Sequence, residues 1–253
     1  MRTTMACLAS LLLAGAALAQ GPTERIDQGS FIIHVKDRPI GAETFEVVGR
    51  SDSVNATARS YLTARTKNGD EVIERVMVAS LNRTDFSLRY YQSDQTMLGE
   101  TLITGVIAGQ EDTALTVFRE RKQGGGIANR LVAPPGRLFV LDSGLYSLFN
   151  LICLNLHDKT FSSRPITVLT LSTARDTIIE ALVTDLGTET IRWGARPVQS
   201  RKLQLEDRGT VFVAWLDPSG RMLRLTHEAS GLRVERDPPA VKRRSTSPPK
   251  PGG

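Results

Sequence analysis

From residue 28 to residue 235 the dominant period of apolar side chains is two, the period of a β-strand with one covered face. Phe45 and Val47 alternate with Thr44 and Glu46, and Phe86, Leu88 and Tyr90 alternate with Ser87 and Arg89. Leu223 and Leu225 alternate in the same way with Arg224 and Thr226. The runs are rich in β-branched and aromatic residues, which fit a pleated, half-covered surface. The expected fold is mainly β.

Turn chemistry says how the strands connect. Asn68-Gly69 lies between Ser60–Lys67 and Asp70–Ser80 and carries the two residue types that best tolerate positive φ in a type I′ hairpin. Asp217-Pro218-Ser219-Gly220 reads as a type I turn joining Thr210–Leu216 to Arg221–His227. Asp37-Arg38-Pro39-Ile40-Gly41 is expected to turn Phe31–Lys36 into Ala42–Val48, and residues 108–112 to separate Met97–Ile107 from Thr113–Arg119. Short turns between consecutive strands give antiparallel meanders rather than βαβ units. The expected architecture is therefore a strongly curved antiparallel meander sheet, a half-barrel or a closed barrel, with one short helix.

That helix is read over Asp142–Asn155, with Asp142 or Ser143 as N-cap and with Leu145, Leu148, Phe149, Ile152 and Cys153 at helical spacing. A further buried strand is the competing reading of so short an apolar run. The segment Thr210–Leu216 is apolar on both faces. Either it is a central strand covered on both sides, or one of its faces lines an internal hydrophobic cavity. In the second case the ligand-binding residues are Phe212 and Leu216 on one register, or Val213 and Trp215 on the other.

The ends of the chain differ from its middle. Arg2, an apolar stretch from Met5 to Leu18 and the small residues of Ala17-Leu18-Ala19 have the form of a signal peptide cleaved after Ala19. The apolar stretch is shorter than the roughly 18–20 residues that cross a bilayer. A short linker is expected over 20–27, a single β-rich domain over 28–237, and a disordered basic, proline-rich tail over 238–253. The formal charge of +5 rests on Arg2, Lys242, Arg243, Arg244 and Lys250; without them the balance is zero. A neutral β domain does not fit a nucleic-acid groove. The tail's Lys242, Arg243 and Arg244 are candidates for contact with an anionic surface. Signal cleavage would also remove Cys7, so that Cys153 has no partner and the core must hold without a disulfide.

The N-terminal strand pair of Phe31–Val48, the apolar segment after Asp142 and the terminal hairpin around Val211-Phe212-Val213-Ala214-Trp215-Leu216-Asp217-Pro218-Ser219-Gly220 form a recognisable layout. It resembles uncharacterised exported bacterial proteins similar to the lipoprotein carriers LolA and LolB. That resemblance implies a curved sheet wrapped around helix, enclosing a pocket for acyl chains. No residue is carried over by position.

Motifs for other chemistry are missing. His34, His157 and His227 fall in separate elements, with no metal-ligand spacing. Gly144-Leu145-Tyr146-Ser147-Leu148 misses the nucleophile elbow at its last position, and Gly124-Gly125-Gly126 lacks the lysine and hydroxyl of a phosphate loop. Glu74 with Glu100, and Asp176 with Glu180, have nothing that brings them to catalytic separations. No catalytic residue, metal site or cofactor is expected. The expectation is an exported, non-enzymatic protein, periplasmic or secreted, that holds a lipid or other hydrophobic molecule in the concave face of its sheet. The alternative is a cell-envelope structural or interaction module with no small-molecule ligand.

Overall fold

The computed structural model describes residues 23–238, apart from 68, 109–113, 134–135 and 173–174. In it the period-two alternation becomes fifteen β-strands. The first eight are β1 (Glu24–Val35), β2 (Arg38–Gly49), β3 (Ser53–Thr66), β4 (Gly69–Asn82), β5 (Leu88–Met97), β6 (Glu100–Ala108), β7 (Ala114–Arg121) and β8 (Gly126–Val132). Then come β9 (Leu138–Asp142), helix α1 (Ser147–Leu156), β10 (Ser163–Leu171), β11 (Thr177–Trp193), β12 (Arg196–Asp207), β13 (Thr210–Leu216), β14 (Met222–His227) and β15 (Leu232–Arg236).

All fifteen strands belong to one sheet whose centre is the antiparallel pair β1–β15. From β1 the meander runs outward through β2 to the edge strand β8, and from β15 it runs through β14 to β10 and the opposite edge, β9. The fold class is as expected, mainly β with one short helix, and among the described residues the backbone ladder stays open between β8 and β9. Among the described residues only β9 and β10 pair in parallel, and α1 lies in the connection between them, as a parallel pair requires.

Curvature comes from bulges, which add twist where one strand holds an extra residue. Register shifts interrupt β1, the β4–β5 pair, β11 and the β13–β14 pair. The two arms of the sheet then meet through side chains. Arg75, Tyr91 and Ser93, on β4 and β5, all reach Asp142 at the end of β9. Arg119 on β7 clasps Asp176 just before β11.

Bulges and turns also overturn several local expectations. Phe86 is not in a strand but in the β4–β5 turn at φ +59°, and β5 buries Leu88, Tyr91 and Ser93 rather than Leu88 and Tyr90. Leu223 and Leu225 part company, Leu223 packing with Ile191 and Trp215 outside the main core, because a register shift falls between Trp215 and Leu216. The first hairpin turns at Lys36-Asp37, both at positive φ, and Pro39 lies within β2 opposite His34, next to a register shift. A turn at Leu98-Gly99 divides the expected strand Met97–Ile107 between β5 and β6. β1 begins at Glu24, inside the segment read as a linker. The β3–β4 hairpin forms as expected, although Asn68 is outside the described residues, as are 109–112 of the turn expected at 108–112, the signal segment and the tail from 239 onward.

The Asp217–Gly220 turn forms, with Gly220 N–H donating to the Asp217 carbonyl at 2.9 Å and the Asp217 carboxylate accepting from the Ser219 and Arg221 N–H groups. Gly220 has φ +79°, and a Cβ there would lie 2.3 Å from His157 Cβ at the end of α1. Gly220→Ala is expected to cost about 2 kcal/mol through strain and overpacking, read as a lower urea midpoint at unchanged slope.

Candidate functional site

Helix α1 lies inside the curved sheet, its side chains part of the main core. Every residue of it except Phe149 is buried, the mark of a helix enclosed on all sides rather than lying on a surface. Neither Asp142 nor Ser143 caps it; the N-cap position is Tyr146, which makes no side-chain cap bond. Instead Glu43, fully buried on β2, accepts the N–H groups of Tyr146 at 2.6 Å and Ser147 at 2.9 Å. Burial pushes the Glu43 carboxyl up to about 7, against the lowering pull of those hydrogen bonds. At the other end Arg201 donates to the carbonyls of Leu156, His157 and Lys159, placing a cation at the negative end of the helix dipole.

A second buried set fixes the helix sideways. Arg236 on β15 forms a two-pronged ion pair with Asp27 on β1, and Asn150 of α1 donates to the same carboxylate at 2.9 Å. The Asn150 carbonyl oxygen accepts the Met222 N–H at 2.8 Å, so one helical side chain ties β1 to β14. The Arg236 guanidinium lies against Gly29, where a Cβ would come within 2.9 Å of Nη2.

Beyond the first turn of α1 the enclosed space is hollow, a cavity of about 680 Å³. Gly144, Tyr146 and Phe149 form its floor, and it opens toward the end of the sheet that carries the β5–β6, β12–β13 and β14–β15 turns. Its walls differ. Val168, Ile179, Ala181, Leu205, Phe212 and Leu232 make an apolar side on the β10–β15 arm. Arg75, Ser93, Gln95, Thr104 and Arg119 make a polar side on β4–β7, completed by Asp142. Burial first, and then the Asp142 charge, push the Tyr91 phenol well above its ordinary range, so it remains a donor to that carboxylate.

The four residues singled out on β13 do not share one place. Phe212 lines the cavity, its ring between Phe149 and His227 with centroids 4.8 Å from each. Leu216 is in the main core. Val213 and Trp215 lie on the opposite face, packed with Ile191 and Leu223, where Trp215 donates to Glu189 and is flanked by Lys202 and Arg224. Both apolar faces of this strand are thus covered, one partly by the cavity wall. The polar wall escaped sequence reading because its residues are scattered over β4, β5, β6 and β7 and the end of β9, and only the folded sheet brings them together.

The other candidates are scattered. His34 is on β1 and His157 ends α1, while His227, on β14, lines the cavity beside Phe212. Glu74 pairs with Arg59, and Asp176 with Arg119. Among the described residues no group of three histidine, cysteine, aspartate or glutamate side chains is placed to hold a metal ion. Cys153 is buried, which pushes its thiol up to about 12. No helix among the described residues is long and apolar enough to cross a membrane.

No protein-family model matches the chain, and no curated protein does. Among solved structures it is similar to a β-barrel-like protein of a domain of unknown function, DUF1849, from Brucella abortus. The TM-score is 0.53 at 9% identity, over 86% of this chain and 95% of that one. A DUF1089 family protein from Pseudomonas aeruginosa aligns with TM-score 0.46 at 11% identity, over 72% of this chain and 87% of that one. The first likeness is one of fold alone: the single curled sheet of this chain is similar to that of a β-barrel-like protein.

Proposed function

We propose that the protein is an exported, non-enzymatic carrier or receptor for an amphiphilic hydrophobic molecule held in the cavity above α1. The carrying observation is the cavity itself. A space of about 680 Å³ is within the roughly 300–1,000 Å³ of small-molecule sites. It has apolar groups concentrated on the β10–β15 arm for a hydrocarbon portion and a cluster of polar groups on the opposite arm. The buried ties from Glu43 and Asp27 to α1 support a preformed site, because they fix the floor before any ligand arrives. The resemblance to LolA- and LolB-type carriers belongs to this proposal, as does export through a signal ending at Ala19.

The test has two arms on the mature chain. Native mass spectrometry of protein purified from cells is expected to show a co-purifying amphiphile, and the uncharged probe N-phenyl-1-naphthylamine is expected to brighten on binding. Ala181→Trp, which places an indole beside the cavity from β11, is expected to weaken probe binding at least tenfold, with far-UV circular dichroism retained as the check that the sheet still forms. Protein free of lipid that also refuses the probe would end the carrier reading. The open edge of β8, with Ile127 62% and Val132 79% exposed, would then favour an envelope interaction module that pairs with a partner strand.

A further inference from the structure

We infer that the cavity selects an amphiphile with an uncharged, hydroxyl-bearing head, of the monoacylglycerol kind, over the anionic fatty acid with the same chain. The inference rests on the carrier reading and specifies its ligand class. Two arginines on the polar wall make an anion site the first guess, but each is already matched by a carboxylate of this chain. Arg75 donates to Asp142 at 2.7 Å and also to the Gln95 carbonyl oxygen. The far oxygen of Asp142 accepts from Tyr91 at 2.7 Å and from Ser93 at 2.8 Å, which holds that carboxylate in place. Arg119 holds both oxygens of Asp176, at 2.7 and 2.5 Å, and donates to the Ser172 carbonyl at 2.9 Å.

These pairs are poorly exposed, with side chains at 15% and 8% for Arg75 and Asp142 and at 13% and 4% for Arg119 and Asp176. Solvent therefore screens them weakly. The wall is neutral in charge and rich in hydrogen-bonding groups. An incoming carboxylate loses its hydration and finds no uncommitted cation, a cost of several kcal/mol for an ion left without a partner. A hydroxyl head exchanges hydrogen bonds with water for hydrogen bonds with protein, which is close to neutral.

The rim strengthens the bias. Asp207 lines the cavity, and among the described residues its buried Oδ1 has no hydrogen-bond donor. Among the described residues it pairs with the largely exposed Arg208, at 3.9 Å. A carboxylate at the rim without a close counter-charge repels an incoming carboxylate.

The experiment is displacement of N-phenyl-1-naphthylamine from the mature protein at pH 8, where a free carboxyl is ionised. 1-Monooleoylglycerol and oleate are compared below the concentrations at which either forms micelles. The monoacylglycerol is expected to displace the probe at least tenfold more effectively. Asp176→Asn, which frees Arg119, and independently Asp207→Lys, at the partly exposed rim, are each expected to raise the affinity for oleate about tenfold. Oleate that displaces the probe as well as the monoacylglycerol does, or no gain in oleate affinity in a variant that still binds the probe, overturns the inference and leaves the carrier reading standing. No probe uptake at all removes both.

Discussion

Replacing Asp27 with alanine is expected to lower stability by about 3–5 kcal/mol, because it leaves the Arg236 guanidinium buried with no counter-charge. The side chains of Asp27 and Arg236 are 1% and 5% exposed, so water cannot take over. Asp27 accepts four hydrogen bonds in the native state, from the Gln28 N–H, from both terminal nitrogens of Arg236 and from the Asn150 amide. Removing it strips partners from three elements at once, among them α1. For a chain of this size the loss corresponds to a fall in Tm of roughly 6–20 °C. The control is the double variant Asp27→Leu with Arg236→Met. Exchanging both charges for apolar groups of similar volume restores most of the stability if the damage comes from the stranded cation. A loss below 1 kcal/mol in Asp27→Ala, by urea unfolding, would show that the network is not what secures α1.

How much of this was legible depends on the range of each interaction. The alternation of Phe45 and Val47 named an inward face, and both are buried there. The same register runs back to Glu43, a charge the pattern alone assigns to nothing, because its partner is the start of a helix a hundred residues later. Arg75 and Arg119 are similar. Each continues an inward series, Leu81, Ala79 and Met77 on β4 and Leu115 and Val117 on β7, so periodicity marks them as inward-facing. What periodicity does not carry is that β9 and the β10–β11 connection come round to meet them. The errors at Tyr90 and Leu223 have one cause: a bulge exchanges the two faces, and no composition signal announces it; Phe86 lies in the turn that precedes β5. The missed helix cap is of the same kind, since local capping logic looks among neighbours while the carboxylate used is on β2.

That remote carboxylate carries the second large expectation, which concerns pH. Glu43 has its carboxyl raised from an ordinary 4.5 to about 7, burial being the dominant cause. The folded protein therefore binds a proton more tightly than the unfolded chain. Its contribution is fully present below pH 4.5 and is lost as pH rises toward 7, after which it stays flat. At 1.36 kcal/mol per unit the whole effect is on the order of 3 kcal/mol. Other carboxylates titrate in the same window with the opposite sign, so the wild-type profile alone does not isolate Glu43. The difference between wild type and Glu43→Gln does, because the remaining groups cancel and the amide keeps one acceptor for the N–H groups of Tyr146 and Ser147. Urea unfolding of both proteins from pH 4.5 to 8 is expected to show the wild type losing about 3 kcal/mol relative to Glu43→Gln, with the change complete near pH 7.5. A difference that stays flat across that range would mean that Glu43 is already ionised at low pH, held so by the helix N-terminus it caps.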